Sequence, residues 1–277
     1  MCGRSLPEGN GDDDELRVVS LSPSVTEMLF ALEAEDSIVG ATQYCDYPPA
    51  AKDIERVGAF GGPNMEKLLA LSPDLVIATG TERHAAAAPL DRADIRTLWV
   101  KTGSVSEVLG ALREIGDAIG KPAKADEAAA AMQTELDAVA QAYCGIPVQR
   151  RPRVFVEVWY DPITTAGKGS FIDDLITRAG GINVAREVDA PYPTVNPEKV
   201  VEWNPDVIVL GYMTQEQTQE TIAHRIGWRD IQAVQSGRII GDIPSDLLLR
   251  PGPRMTEGVK ALAERIHGET ECNGFRD

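Results

Sequence analysis

Aromatic residues are scarce: Phe, Trp and Tyr make up 5% of the 277 residues, so each needs a reason for its position. Histidine is scarcer still. His84, His224 and His267 are scattered, so no metal site is expected. The four cysteines (2, 45, 144 and 272) form no C-x-x-C pair and no metal-ligand spacing. Neither G-x-S-x-G nor H-E-x-x-H occurs, and "TTAGKGS" lacks the first glycine of a phosphate loop; no catalytic residue declares itself, and no enzyme is expected. No apolar run nears the roughly 20 residues of a membrane helix. The opening "MCGRSLPEGNGDDDEL" lacks the apolar region of a signal peptide. Lysine is rare too, at 8 of the 27 basic residues against 43 acidic ones, for a net charge of −16. Such a surface repels nucleic-acid phosphate, so that partner class is disfavoured. Few lysines among many carboxylates matches the proteins of salt-loving organisms, with an ordinary acidic soluble protein as the alternative.

What is present alternates. "LRVVSLSP" (16–23) suits a buried strand, and the next helix turns Val25, Met28, Leu29 and Leu32 to one face, with Ser24 and Glu27 at capping-box spacing. Strands are expected at 37–42, 75–79 and 96–100, and helices at 65–71 and 104–120, the latter capped by Ser104 and Glu107. An Ala-rich helix follows at 124–145, with Met132, Leu136, Val139 and Tyr143 on one face and Cys144 as a small buried hydrophobe at its end. At 1.5 Å per residue it spans about 30 Å. Then come a strand at 153–160, a helix at 170–179, "GRIIGDIP" (237–244) and a final helix at 253–267. Strand alternating with helix implies parallel sheets with covered faces. The fold class expected is α/β: two parallel-sheet lobes joined by one long rigid helix, with a ligand cleft between them. The divisions are a flexible acidic leader (1–15), an N-terminal lobe (16–121), the connecting helix (122–146), a C-terminal lobe (147–268) and a flexible tail (269–277).

One phrase occurs twice. "MEKLLALSPDLVIATG" (65–80) returns as "PEKVVEWNPDVIVLGY" (197–212), so that Asn64, Glu66, Lys67, Pro73 and Asp74 match Asn196, Glu198, Lys199, Pro205 and Asp206. Each copy reads as a helix, a Pro-Asp turn closed by the aspartate, and a buried strand. Glu66 and Glu198 fall in the first turn of their helices, where a carboxylate offsets the positive helix end by about 0.3–1 kcal/mol. The other reading is a pair of docking points for a two-fold partner.

The segments "RVVSLSPSVTEMLFAL", "YCDYPPAAKDIERVGAF", "NMEKLLALSPDLVIA", "PYPTVNPEKVVEWNPDVIVL" and "SDLLLRPGPR" resemble the substrate-binding proteins of ABC importers of the helical-backbone class (class III). The likeness runs from about 16 to 267, and "DYPP" most resembles the cobalamin-binding members. The resemblance implies a non-enzymatic receptor without a cofactor, which takes cobalamin or a related corrinoid as ligand. It implies a monomer working outside the cytoplasm with a permease dimer and its ATPase subunits. A lipid at Cys2 would tether it to the cell surface; the missing signal region leaves a cytoplasmic location open. Glu66 and Glu198 would meet permease arginines.

By resemblance the pocket is lined by Tyr47, Phe60, Thr79, Trp159 and Tyr192, with Asp246 and Arg250 as polar contacts. Such rings suit a broad apolar macrocycle. Phe60 and Tyr192 stand where relatives carry Trp, and Thr79 where they carry an aromatic residue. Arg254 reads as structural, at the start of the last helix. Cobalt ligation by Cys45 and haem or iron-chelate ligation by His84, in the loop after 75–79, are the metal readings weighed. The alternatives are the same fold binding haem or an iron-siderophore, a cytoplasmic corrinoid-binding protein, and a two-lobed enzyme with a cleft acid–base pair.

Overall fold

A computed structural model describes residues 16–59, 62–212 and 219–268. In the N-terminal half the chain runs β1 (Val18–Ser20), α1 (Pro23–Ala31), β2 (Ile38–Ala41), and the two-residue strands β3 (Gly58–Ala59) and β4 (Gly62–Pro63). It continues through α2 (Met65–Ala70), β5 (Leu75–Thr79), α3 (Gly80–Arg92), β6 (Thr97–Val100) and α4 (Val105–Ala118). Strands β2-β1-β5-β6, in that order, form one parallel sheet. Helix α5 (Pro122–Tyr143) then carries the chain across, about 33 Å at 1.5 Å per residue.

The second half runs β7 (Arg153–Tyr160), β8 (Ile163–Thr165), α6 (Phe171–Arg178), β9 (Ile182–Asn183), α7 (Pro197–Trp203) and β10 (Val207–Leu210). After these come α8 (Gln219–Ala223), α9 (Gln232–Gln235), β11 (Ile239–Ile240), α10 (Ser245–Leu249) and α11 (Met255–His267). Strands β11, β10, β7 and β9 are parallel, and β8 returns antiparallel beside β7.

Side chains alternate across both sheets with the period of a strand. Val18, Leu75 and Ile77 face one way, while Val19, Val76 and Ala78 form a separate core with Leu68 and Leu90. In the second sheet Val154, Val156, Val207 and Val209 face one way, and Phe155 and Ile208 pack with Trp203 and Trp228. The first-named faces of the two sheets belong to a single apolar cluster that also holds Met28, Leu112, Ala125, Met132, Leu136, Ile172 and Leu262. The lobes thus share one core. A carboxylate stitches them as well: Asp174 Oδ2 on α6 accepts from the Val105 N–H of α4 at 2.8 Å.

The repeated phrase builds the same corner twice. Asp74 Oδ2 accepts from the Arg17 N–H at 2.9 Å, and Asp206 Oδ2 from the Arg153 N–H at 2.8 Å. The aspartates therefore pin the start of the neighbouring strand rather than close their own turn as expected. The same arginines donate to helix-end carbonyls, Arg17 to Leu71 and Arg153 to Trp203. Ser72 and Asn204, again matched, both take positive φ, at 45° and 43°.

Four local expectations are corrected. Residues 80–92 form a helix, so His84 is an exposed helical residue and not a loop one. Ser24 and Glu27 make no capping box, because Pro23 opens α1 behind Ser22 and Glu27 turns elsewhere. At α4 Ser104 accepts from the Glu107 N–H, but the Glu107 carboxylate takes the N–H of Gly103 instead of Ser104. Cys144 is exposed, lying past the buried stretch of α5 that ends at Leu136.

Candidate functional site

In open parallel sheets, ligands gather where the strands end at their carboxyl side. In the first sheet that edge carries Ser20–Pro23, Thr79 and the loop after β2; in the second it carries the β7–β8 turn and the residues after β10. The loop after β2 is organised from inside by Arg56. Its guanidinium donates to the carbonyls of Thr42, Cys45 and Ala51 at 2.8, 3.1 and 3.0 Å. The fully buried Cys45 thiol lies 3.2 Å from the Thr42 hydroxyl. This loop presents Asp46 and Tyr47, the latter 41% exposed.

Across from it stand α10 and the start of α11. Arg250 donates to Asp46 Oδ1 at 2.6 Å, pairs with Asp246 at 3.0 Å, and lies 3.6 Å from Glu27. Arg254 meets the buried Glu27 with both ends of its fork, at 2.9 and 2.6 Å, and its Cζ lies 3.8 Å from the centre of the Tyr47 ring. Asp246 is 3.9 Å from Arg254. Three carboxylates and two guanidiniums thus form the floor, and the pairs with Glu27 and Asp46 cross from lobe to lobe. Burial works to raise Asp46, but the bond and charge of Arg250 outweigh it and hold the carboxyl below its ordinary value. The bond that Arg254 donates to Glu27 raises the guanidinium above its ordinary value.

Trp159 and Tyr192, unlike Tyr47, make no bond or ring contact with this floor. Trp159 pairs across β7–β8 with Thr164, which bridges to Thr194, two residues from Tyr192. Trp159 is 39% exposed, its indole N–H donates to the Asp161 carbonyl at 3.0 Å, and its ring lies 5.2 Å from that of Tyr160. Tyr192 is half exposed, and partial desolvation raises its phenol above the ordinary value. No hydrogen bond, ion pair or ring contact ties Trp159 or Tyr192 to Tyr47.

Thr79 differs from expectation. It is buried, and its hydroxyl and N–H both donate to Glu82 Oε2, at 2.6 and 2.9 Å, at the start of α3. Phe60 lies outside the described residues, as do Cys2 and Cys272. Glu66 and Glu198 are both exposed on the first turns of α2 and α7, without an ion pair or side-chain hydrogen bond to a described residue.

Glu27, Asp46 and Arg56 are not among the sequence-predicted site residues, and the sequence reads Arg254 as structural. Asp46 had a signal, as the neighbour of Tyr47. Glu27 had a misleading one, its capping-box spacing.

A second buried charge group sits at the end of β10. Glu157, fully buried on β7, takes both ends of Arg225 at 2.5 and 2.8 Å and accepts from the Tyr212 hydroxyl. Among the described residues no group of three His, Cys, Asp or Glu could hold a metal ion. A groove of about 560 Å³ between α5 and α11, lined by Ala138, Val139, Ala142 and Ala263, shares no residue with the floor. Its wall also carries Glu135, Glu257, Lys260 and Glu264, but it lies away from the strand ends, so depth alone does not mark it as the site.

The sequence profile described as periplasmic binding protein matches residues 18–246. The chain belongs to that family. A vitamin B12-binding protein of Salmonella typhi is 36% identical over 251 residues, covering 90% of each chain. An uncharacterised ABC transporter substrate-binding lipoprotein of Bacillus subtilis (strain 168) is 35% identical over 259 residues, covering 92% of this chain and 81% of that one. Among solved structures, a periplasmic haem-binding protein from Roseiflexus sp. RS-1 superposes with a TM-score of 0.78 at 25% identity, covering 91% and 98% of the two chains. The two-lobed α/β fold and the role of a substrate-binding protein follow from membership; within this family the same scaffold serves differently named ligands.

Proposed function

We propose that the protein binds cobalamin or a related corrinoid between its lobes and delivers it to an ABC-importer permease outside the cytoplasm. The observation that carries this reading is the state of the cleft floor. Both guanidiniums, Arg250 and Arg254, are already matched by Glu27, Asp46 and Asp246, which leaves one more carboxylate than cation. Haem brings two propionates, and this floor holds no spare cation for them. A corrinoid brings a flat apolar macrocycle rimmed by neutral amides, which carboxylates accept as donors and exposed rings cover. Tyr47, Trp159 and Tyr192 supply such rings. The vitamin B12-binding relatives support the same choice.

Haem remains the second reading, because the fold neighbours include haem binders and Tyr47 is an exposed phenol beside a guanidinium. Titration with cyanocobalamin and with haemin, in low and in molar salt, separates the two. Saturable one-to-one binding of cyanocobalamin alone is expected; saturable haemin binding without it overturns the corrinoid reading.

For delivery, Glu66 and Glu198 serve as docking points. They occupy matched positions of the repeat, one on each lobe, both exposed and neither paired with a described residue. Glu66→Arg together with Glu198→Arg should abolish uptake in cells while ligand affinity in vitro stays unchanged. A fall in affinity instead would assign them to the pocket. In molar salt the Debye length shrinks to about 3 Å, so only close pairs would act.

A further inference from the structure

We infer that Arg254 is a positioning residue of the ligand pocket: clamped by Glu27 of the opposite lobe, it lies against the ring of Tyr47 and sets the orientation in which that ring meets the ligand. The inference rests on Tyr47 lining the pocket, as proposed above.

Three observations converge on Arg254. Its fork is matched by both oxygens of a carboxylate that is 4% exposed, at 2.9 and 2.6 Å, so the guanidinium plane has little freedom. That plane lies 3.8 Å from the centre of the Tyr47 ring, well inside the roughly 6 Å reach of a cation–π contact. Tyr47 nevertheless keeps 41% of its surface open. One face of the ring is therefore held while the rest stays available to a flat ligand.

The backbone beneath Tyr47 is held separately, by the three carbonyl bonds of Arg56. Arg56 fixes where the loop is, and Arg254 fixes how its ring is turned. A ring already oriented loses less freedom when it stacks, which raises affinity without adding a contact. Because Arg254 belongs to the C-terminal lobe and Tyr47 to the N-terminal one, the pocket wall of one lobe is set by the other. Lysine cannot replace this arginine, since it offers neither the bidentate fork nor a plane to stack.

The test uses Arg254→Lys in the full chain, with and without Tyr47→Ala, and two readouts. The first is the NMR signal of the Tyr47 ring in ¹³C-tyrosine-labelled protein without ligand. The second is cyanocobalamin affinity by calorimetry. We expect the Tyr47 ring to become mobile in Arg254→Lys and affinity to fall about tenfold, as the loss of a cation–π contact implies. In the Tyr47→Ala background the same change should cost no further affinity. Equal losses in both backgrounds, or an unchanged ring signal, would overturn the positioning role and leave Arg254 as a structural bridge. Should Arg254→Lys fail to fold, Glu27→Gln loosens the clamp at constant shape, and the same two results are read. If the unaltered protein binds no corrinoid, the functional reading falls, while the ring signal still decides the role of Arg254.

Discussion

The molecule contains two groups of the same chemical composition. Glu27, Arg254 and Tyr47 form one; Glu157, Arg225 and Tyr212 form the other. Each has a buried glutamate gripped at both oxygens by an arginine with a tyrosine attached. The second lies within one lobe, and its tyrosine is 8% exposed, so it ties strand β7 to the chain after β10 and to the segment after α8. The first spans the lobes and leaves its tyrosine open. The same three residue types thus serve architecture when enclosed and, on the proposal above, recognition when they bridge the lobes. Location, and not composition, divides the roles.

Removing each glutamate breaks this comparison most sharply. Glu157→Ala strands a guanidinium and a phenol in a buried setting and should lower unfolding stability by about 3–5 kcal/mol, measured by urea denaturation. Ligand affinity of the folded fraction should barely move. Glu27→Ala should cost about 2 kcal/mol, since Arg254, as enclosed as Arg225, can turn toward Asp246, but affinity should fall with it. Equal effects on stability and on binding in both variants would erase the distinction.

The smaller effects sharpen it. Trp159→Ala removes an open ring and should weaken corrinoid binding about tenfold, with thermal stability nearly unchanged. The cross-lobe Asp46–Arg250 bridge also has a pH signature. Asp46 titrates below its ordinary value when folded, so its contribution is present at neutral pH and is lost as pH falls through that lowered value. Affinity should therefore be flat from about pH 8 to 5 and drop only below about pH 4, as binding measured across that range will read out. The smallest effect lies at the repeated corner. Ser72 takes the left-handed conformation that its counterpart Asn204 tolerates better, so Ser72→Asn should raise stability by about 0.5–1 kcal/mol in thermal melts.

Much of the fold is legible because it is local. The strand Arg153–Tyr160 is bounded as its β-rich composition and the preceding proline require, and the apolar faces of α1 and α4 follow from spacing alone. Helix α3 escapes that reading because Gly80 and Pro89 look like breakers. Its signal lies in Thr79-x-x-Glu82, a capping spacing that does form a bond. The same spacing misleads at Ser24 and Glu27. There a proline settles the helix start, and the carboxylate goes to an arginine 227 positions away. No local pattern announces a partner at that separation. Glu27 is hidden for this reason, while Asp246, Arg250 and the exposed rings Tyr47, Trp159 and Tyr192, each ring beside a Pro or a strand end, are visible.

The apolar cluster common to both sheets has a consequence for how the chain can be handled. Met28 and Leu112 from one half and Leu262 and Ile172 from the other are interior residues only while both halves are present. Cutting the chain within α5 would turn that interior into two sticky surfaces, so neither half is a portable module. The molecule should melt in a single cooperative step, and any force that prises open its cleft must be supplied by whatever it docks against.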